Sequence, residues 1–236
     1  MWEYYLLGFI LLPGILLAMY ASIKVNTTYS KYSRVASASG LTAAQVAELM
    51  LRNAGLYDVR ITCIGGNLTD HFDPRTRTLA LSQGVYHSTS VAAIGVAAHE
   101  VGHAIQHSEG YVPLKLRSAM VPVINISSRL LWPILIIGLL FTFLIEIPLL
   151  GDIFLIAGLV VFGGSLIFSL VTLPVEFNAS SRAYRTLIDN QILSVQEANL
   201  SKKVLNAAAL TYVASMVMAL LNLLRFLLIF GRHNNR

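Results

Sequence analysis

Val91-Ala92-Ala93-Ile94-Gly95-Val96-Ala97-Ala98-His99-Glu100-Val101-Gly102-His103 is the stretch from which the rest of this chain is understood. The run before His99 is apolar and small, and residues 99–103 follow the pattern HExxH in a helical context. Residues four apart on an α-helix share a face, so His99 and His103 can offer two imidazole nitrogens to one Zn²⁺. Glu100 sits beside them and can reach a water held at such an ion. The pattern brings together a metal, a base and hydrolytic attack on a polarised carbonyl. Ser88, Thr89 and Ser90 offer N-caps for the helix.

The composition sets the surroundings of this helix. The chain has 236 residues, 56% of them hydrophobic and only 12% charged, with a mean hydropathy of +0.66. A soluble domain carries about twice that charged fraction, so the composition predicts an integral membrane protein. The single cysteine, Cys63, excludes an internal disulfide and a cysteine-based zinc cluster. Its strand-like surroundings assign it to core packing. The net charge is +5, but the basic residues form no run interleaved with aromatics. Nucleic acid is therefore not an expected partner, and membrane topology accounts for the charge.

Four hydrophobic segments are expected to span. The first runs from about Tyr5 to Ile23 without internal charge, with Trp2, Tyr4 and Tyr5 at one end and Tyr20 near the other, as interfacial aromatics tend to lie. No basic residue precedes it and Lys24 follows it, which predicts a permanent anchor and not a cleaved leader. The second and third, Leu130 to about Leu150 and Ile153 to Leu173, form a hairpin turning at Gly151-Asp152 just after Pro148. Gly163-Gly164-Ser165 suggests close helix packing in the third. The fourth, Ala207 to about Phe230, carries Arg225 late, where it can snorkel to the far interface; the alternative is a segment lying partly in the membrane plane. The expected organisation is an anchor (1–23), a polar protease region (24–118), a transmembrane hairpin (119–173), a polar helical region (174–206) and a final span with its tail (207–236).

Lys24, Lys31, Arg34, Arg52, Arg60, Arg75, Arg77, Lys115, Arg117 and Arg129 lie between the first and second spans, and Arg182, Arg185, Lys202 and Lys203 between the third and fourth. The hairpin turn holds only Glu146 and Asp152. The positive-inside rule places both polar regions in the cytoplasm of a multi-pass plasma-membrane protein, with Arg232 and Arg236 as the contrary signal.

Within the first polar region, residues 39–56 predict a helix with a Thr42/Gln45 capping box, Gly55 at its C-terminal end and a core stripe of Val46, Leu49, Met50 and Asn53. A strand follows at about Val59 to Ile64, then a Gly65-Gly66 turn and a hairpin about Asp73-Pro74. An extended polypeptide can add to a strand edge through backbone hydrogen bonds. Arg77, Thr78, Leu79, Ala80, Leu81 and Ser82 are the candidate edge, with an ordinary two-stranded turn as the alternative.

A catalytic zinc needs a third protein ligand. His107 lies one turn beyond His103, but a straight helix advances about 6 Å in four residues, so ligands at i, i+4 and i+8 do not converge. A metzincin pattern would need Gly at 105 and His at 109, where this chain has Ile105 and Glu109. Glu146 and Asp152 fall on the far side. Glu176, in Leu173-Pro174-Val175-Glu176, fits best: Pro174 suits a first helical turn, and the residue shares a compartment with HExxH.

HExxH, a hydrophobic hairpin and then Glu-Phe-x-Ala resemble the gluzincin membrane peptidases of the HtpX and CAAX-prenyl-protease type. The likeness is closer to the YugP-like bacterial neutral zinc membrane peptidases. It rests on Leu68-Thr69-Asp70-His71-Phe72-Asp73-Pro74, residues 97–106, Pro174-Val175-Glu176-Phe177-Asn178-Ala179-Ser180 and residues 208–214. The resemblance implies Zn²⁺ bound by His99, His103 and Glu176, with Glu100 as general base. The HtpX pattern has an Asp, orienting a ligand histidine, where this chain has Ser180. Ser180, Asn178 or Asp73 is expected to orient the ligands, and His107, Tyr111, Arg182 or Tyr184 to supply a donor for the oxyanion.

The expected fold is thus mainly α and integral to the membrane, with about four transmembrane helices and a cytoplasmic gluzincin-type zinc protease domain carrying a small β-sheet. The expected function is that of a zinc metalloendopeptidase, a hydrolase acting on membrane or membrane-proximal polypeptides. The alternative is a catalytically silent zinc-binding scaffold, against which an intact Glu100 argues. A metal transporter would need paired polar groups inside its spans, and these spans hold almost none.

Overall fold

The computed structural model describes residues 8–143 and 148–233. In chain order the elements are α1 (Leu12–Tyr32), α2 (Ala43–Asn53), β1 (Arg60–Ile64), β2 (His71–Asp73), β3 (Thr78–Ser82), α3 (Gln83–Tyr86), α4 (Val91–Ser108), α5 (Val112–Phe143), α6 (Pro148–Asp189) and α7 (Val195–His233). The chain divides into two compact units, one of residues 1–19, 116–172 and 212–236, the other of residues 20–115 and 173–211.

The first unit is apolar helix. Among the described residues, the helices over Val112–Gly138, Ile156–Asp189 and Val195–Ile229 are long and apolar enough to cross a membrane. Ile136, Leu140, Ile153, Ile156, Val160, Leu220 and Leu224 are exposed, a surface suited to lipid and not to water. The expected first span begins outside the described residues, as do Trp2, Tyr4 and Tyr5; Glu146 and Arg236 also lie outside them. The described part of that segment continues as one helix to Tyr32.

Two expectations about the spans need correction. Gly151 and Asp152 are not the hairpin turn, because α6 already begins at Pro148. A proline with fixed φ and no N–H is well placed in a first turn. Close packing is also not at Gly163, which has open space, or at Gly164, where an added Cβ would meet only Ile124 at 3.8 Å. It falls at Gly138 against Phe154 and at Gly158 against Phe226.

The second unit is built around α4. Ile94, Ala97, Ala98 and Val101 are fully buried against Val46 and Met50 of α2, Leu79 and Leu81 of β3, and Ala183 and Leu187 of α6. Thr42 and Gln45 form the capping box of α2, and Gly55 follows its end with φ +74°, a conformation that glycine adopts without a steric penalty. The buried stripe of α2 differs from expectation. Ala43, Ala47 and Leu51 join Val46 and Met50, whereas Leu49 is exposed and so is Asn53.

The sheet has the order β1-β3-β2, with β1 parallel and β2 antiparallel to β3. Residues 78–82 are therefore the central strand, and the edge expected at Arg77–Ser82 does not exist. The burial of Leu79, Ala80, Leu81 and Ser82 in succession is the signature of a strand covered on both faces. Ser82 is further occupied by Asp70, whose Oδ1 accepts from its N–H at 2.7 Å. Cys63 is exposed, not core, because β1 is an edge strand with an exposed outer face.

Candidate metal centre

The helix α4 begins at Ser90, whose hydroxyl accepts from the Ala93 N–H at 3.2 Å, and its third and fourth turns carry the histidines. α6 enters the same unit after Leu173 and brings Glu176. The two helices approach closely at one place. A Cβ on Gly102 would lie 2.6 Å from the carbonyl oxygen of Ala179, so only glycine lets α6 lie against the HExxH turn.

This approach brings Glu176 Oε2 to 3.1 Å from His99 Nε2 and 3.7 Å from His103 Nε2. One ligand atom from each of the three residues lies within 4.8 Å of the others. A tetrahedral zinc site with bonds of about 2.1 Å has edges of about 3.4 Å, so the trio fits such an ion. Both rings are oriented from behind. The Nδ1 of His99 is 3.1 Å from the Ser180 hydroxyl, and that of His103 is 3.0 Å from Gln106 Oε1. With each Nδ1–H donating, each Nε2 turns a lone pair toward a carboxylate oxygen. That arrangement requires a cation between them, either a proton or a metal ion.

Gln106 is fully buried. Its Nε2 donates to Val175 O and to Asn178 Oδ1, both at 2.9 Å, which fixes Oε1 as the acceptor facing His103. Asn178 Oδ1 also accepts from Arg182 Nε at 2.7 Å, and Arg182 pairs with Glu109 at 2.6 Å.

The electrostatics follow from burial and proximity. Burial pushes the Glu100 carboxyl up, and the neighbouring His99 and His103 only partly offset it. Burial opposes charge on His103, yet hydrogen bonding to Glu176 and the charge of Glu100 raise it. Burial acts upward on Glu176 too, but with a proton between it and the imidazoles, hydrogen bonding to His103 and His99 outweighs burial and holds the carboxyl far below the usual carboxylate range.

The family model described as "Putative neutral zinc metallopeptidase" matches residues 7–231. The chain belongs to that family. A Bacillus subtilis (strain 168) protein named "Putative membrane protease YugP" is 44% identical over 230 residues, which cover 96% of this chain and 98% of the relative. No solved structure matches. The family, the relative's name and the apolar helices agree on a membrane protein of the zinc metallopeptidase kind.

In this member of the family the other anticipated residues take varied places. Ser180 touches His99, whereas Asn178 acts at one remove through Gln106. Asp73 does not orient a ligand: its carboxylate accepts from Arg75 N–H and the Thr76 hydroxyl, each at 2.9 Å, because an Asx turn claims it. The ring of His107 lies against Phe72, with centroids 6.0 Å apart. Tyr184 donates to Asn199 Oδ1 at 3.0 Å, and the guanidinium of Arg182 is held between Asn178 and Glu109. Gln106 and Gly102 were not anticipated as parts of the site. The available signal for Gln106 was its spacing, three residues after His103 on the same helix face.

Proposed function

We propose that this protein is an integral-membrane zinc endopeptidase that hydrolyses peptide bonds of membrane or membrane-proximal polypeptides. The observation that carries the proposal is the convergence of His99 Nε2, His103 Nε2 and Glu176 Oε2 with Glu100 next in sequence to His99. These three residues would hold Zn²⁺ in a gluzincin arrangement, leaving a position open. When bound, the ion supplies a Lewis acid that polarises a carbonyl and makes water acidic. Glu100, whose carboxyl burial pushes up and so makes a better base, takes the proton of the attacking water and returns it to the departing amine. Ser180 and Gln106 hold the two imidazoles in the orientation a metal needs. A substrate strand adding to the sheet would use β1 or β2, the strands with free edges.

The placement of basic residues supports a multi-pass plasma-membrane protein with its site on the cytoplasmic side. Residues 5–23 are a fourth span in this proposal.

The test uses full-length protein in detergent. The expected result is about one zinc per chain, lost in His99→Ala, with casein or a model membrane substrate cleaved by the wild type. Cleavage is blocked by a chelator and absent in Glu100→Gln. Bound zinc without cleavage of any substrate would instead support the silent scaffold.

A further inference from the structure

A second site lies away from the metal residues, between α1 and α7. There a cavity of about 480 Å³ is lined by Lys24, Thr27, Lys31, Tyr32, Lys203 and Asn206, among others. We propose that this cavity binds the phosphate-bearing headgroup of an anionic phospholipid.

Charge is the first argument. The lining contains three lysines and no carboxylate, and no ion pair among the described residues involves Lys24, Lys31 or Lys203. The Lys31 and Lys203 ammonium groups lie 5.5 and 5.9 Å from the centroid of one ring, that of buried Tyr32. Two like charges gathered about one aromatic ring, with no anion supplied by the protein, form an acceptor for an external one. The volume is that of a small-molecule site.

Position is the second argument, and it turns an anion site into a lipid site. Lys24 follows the apolar run 5–23, and Lys203 and Asn206 precede the apolar run 207–230. In the membrane reading both flanks lie where hydrocarbon gives way to water. Ala207 and Leu210 add apolar surface to a lining otherwise rich in ammonium, hydroxyl and amide groups. A phosphodiester headgroup with its chains continuing along the helices matches both parts. Basic pockets beside membrane helices bind headgroups in this way. The inference rests on the membrane placement and not on peptidase activity.

The test places the wild-type protein in phosphatidylcholine vesicles, with or without phosphatidylglycerol, and follows acylation of individual lysines by an amine-reactive reagent. Phosphatidylglycerol is expected to protect Lys31 and Lys203 but not Lys115, and inorganic phosphate alone is expected to protect none. Equal protection in phosphatidylcholine overturns the proposal. So does equal protection by inorganic phosphate, which would make this a free-phosphate site. In native mass spectrometry, Lys31→Gln/Lys203→Gln should lower phosphatidylglycerol retention about twenty-five-fold, at about fivefold per lysine. Lys31→Arg/Lys203→Arg should retain it. A similar loss in Arg60→Gln/Arg75→Gln, which removes the same charge from exposed positions elsewhere, also overturns the proposal.

Discussion

Gln106 Oε1 accepts from His103 Nδ1 across 3.0 Å, and the opposite end of the same buried amide is held by Val175 O and Asn178 Oδ1. A glutamine clamped at both ends cannot rotate, so the His103 ring is fixed by α6 as well as by its own helix. Gln106→Leu removes the acceptor of the His103 Nδ1–H and the amide that ties it to α6, leaving that N–H without its partner. Zinc affinity should fall about 10–100-fold, measured by competition with a chelator. Unchanged affinity would show that the ring needs no such support.

Ser180→Ala removes the partner of His99 Nδ1 but leaves the network around Gln106 intact. Zinc affinity should fall less than in Gln106→Leu, because Ser180 is only partly buried and water can replace its hydroxyl, whereas Gln106 is fully buried. The same chelator competition ranks the two variants.

Glu100→Gln should lower turnover about 10²–10⁴-fold, the usual contribution of a positioned base. Zinc content and thermal midpoint should stay near those of the wild type, because Glu100 is not one of the three converging ligands. Loss of zinc in this variant would give Glu100 a structural role instead.

Added zinc should raise the thermal midpoint of metal-free protein in a concentration-dependent way, since an ion that binds only the folded state stabilises it by mass action. The increment should vanish in both Glu176→Ala and His99→Ala. A full increment without Glu176 would show that the carboxylate does not complete the site.

Gly102→Ala sets helix propensity against packing. Alanine in a helix gains about 1 kcal/mol over glycine, but its Cβ would press on the backbone of Ala179, which cannot rotate away. Packing should win, with a net loss of about 1–3 kcal/mol and a lower thermal midpoint. A stabilised variant would contradict the close approach of α4 and α6.

Glu197 ties the start of α7 to a distant loop. Its carboxylate accepts from Ala38 N–H at 2.6 Å and from Ser194 N–H at 2.9 Å. The hydrogen bond from Ala38, and then those from Ser194, hold its carboxyl below the usual range. A carboxyl lowered in the folded state contributes stability above its unfolded pKa and loses it as pH falls through the folded value. Glu197→Gln should therefore be less stable than wild type near neutral pH, by about 1 kcal/mol as for other helix caps. The gap should close in acid, as read from thermal midpoints across pH.

The periodicity of α4, its Ser90 cap and the capping box of α2 were legible because each depends on neighbours within a turn or two. The pairing of residues 60–64 with 78–82 was not. It joins strands across an intervening hairpin, and a hairpin examined alone leaves residues 77–82 at an edge. The run Leu79-Ala80-Leu81 did carry the signal of a doubly covered strand. Cys63 and Leu49 were misjudged for a related reason: local pattern indicates an apolar residue, while the packing of other elements decides which face is covered.

What the sequence determined by itself is the membrane character, the family, and the placement of His99 and His103 on one helix face with Glu100 beside them. These follow from composition, motif and the 3.6-residue period, all short-range properties. Only the tertiary structure decided that Glu176 meets both imidazoles, that Ser180 and Gln106 stand behind them while Asp73 does not, and that β3 is central. The contacts of Glu176 and Ser180 join residues more than seventy positions apart, Gln106 is held in place from α6, and β3 pairs with a strand beyond a hairpin. The close approach of α4 and α6 at Gly102, which no local pattern encodes, sets the first of them.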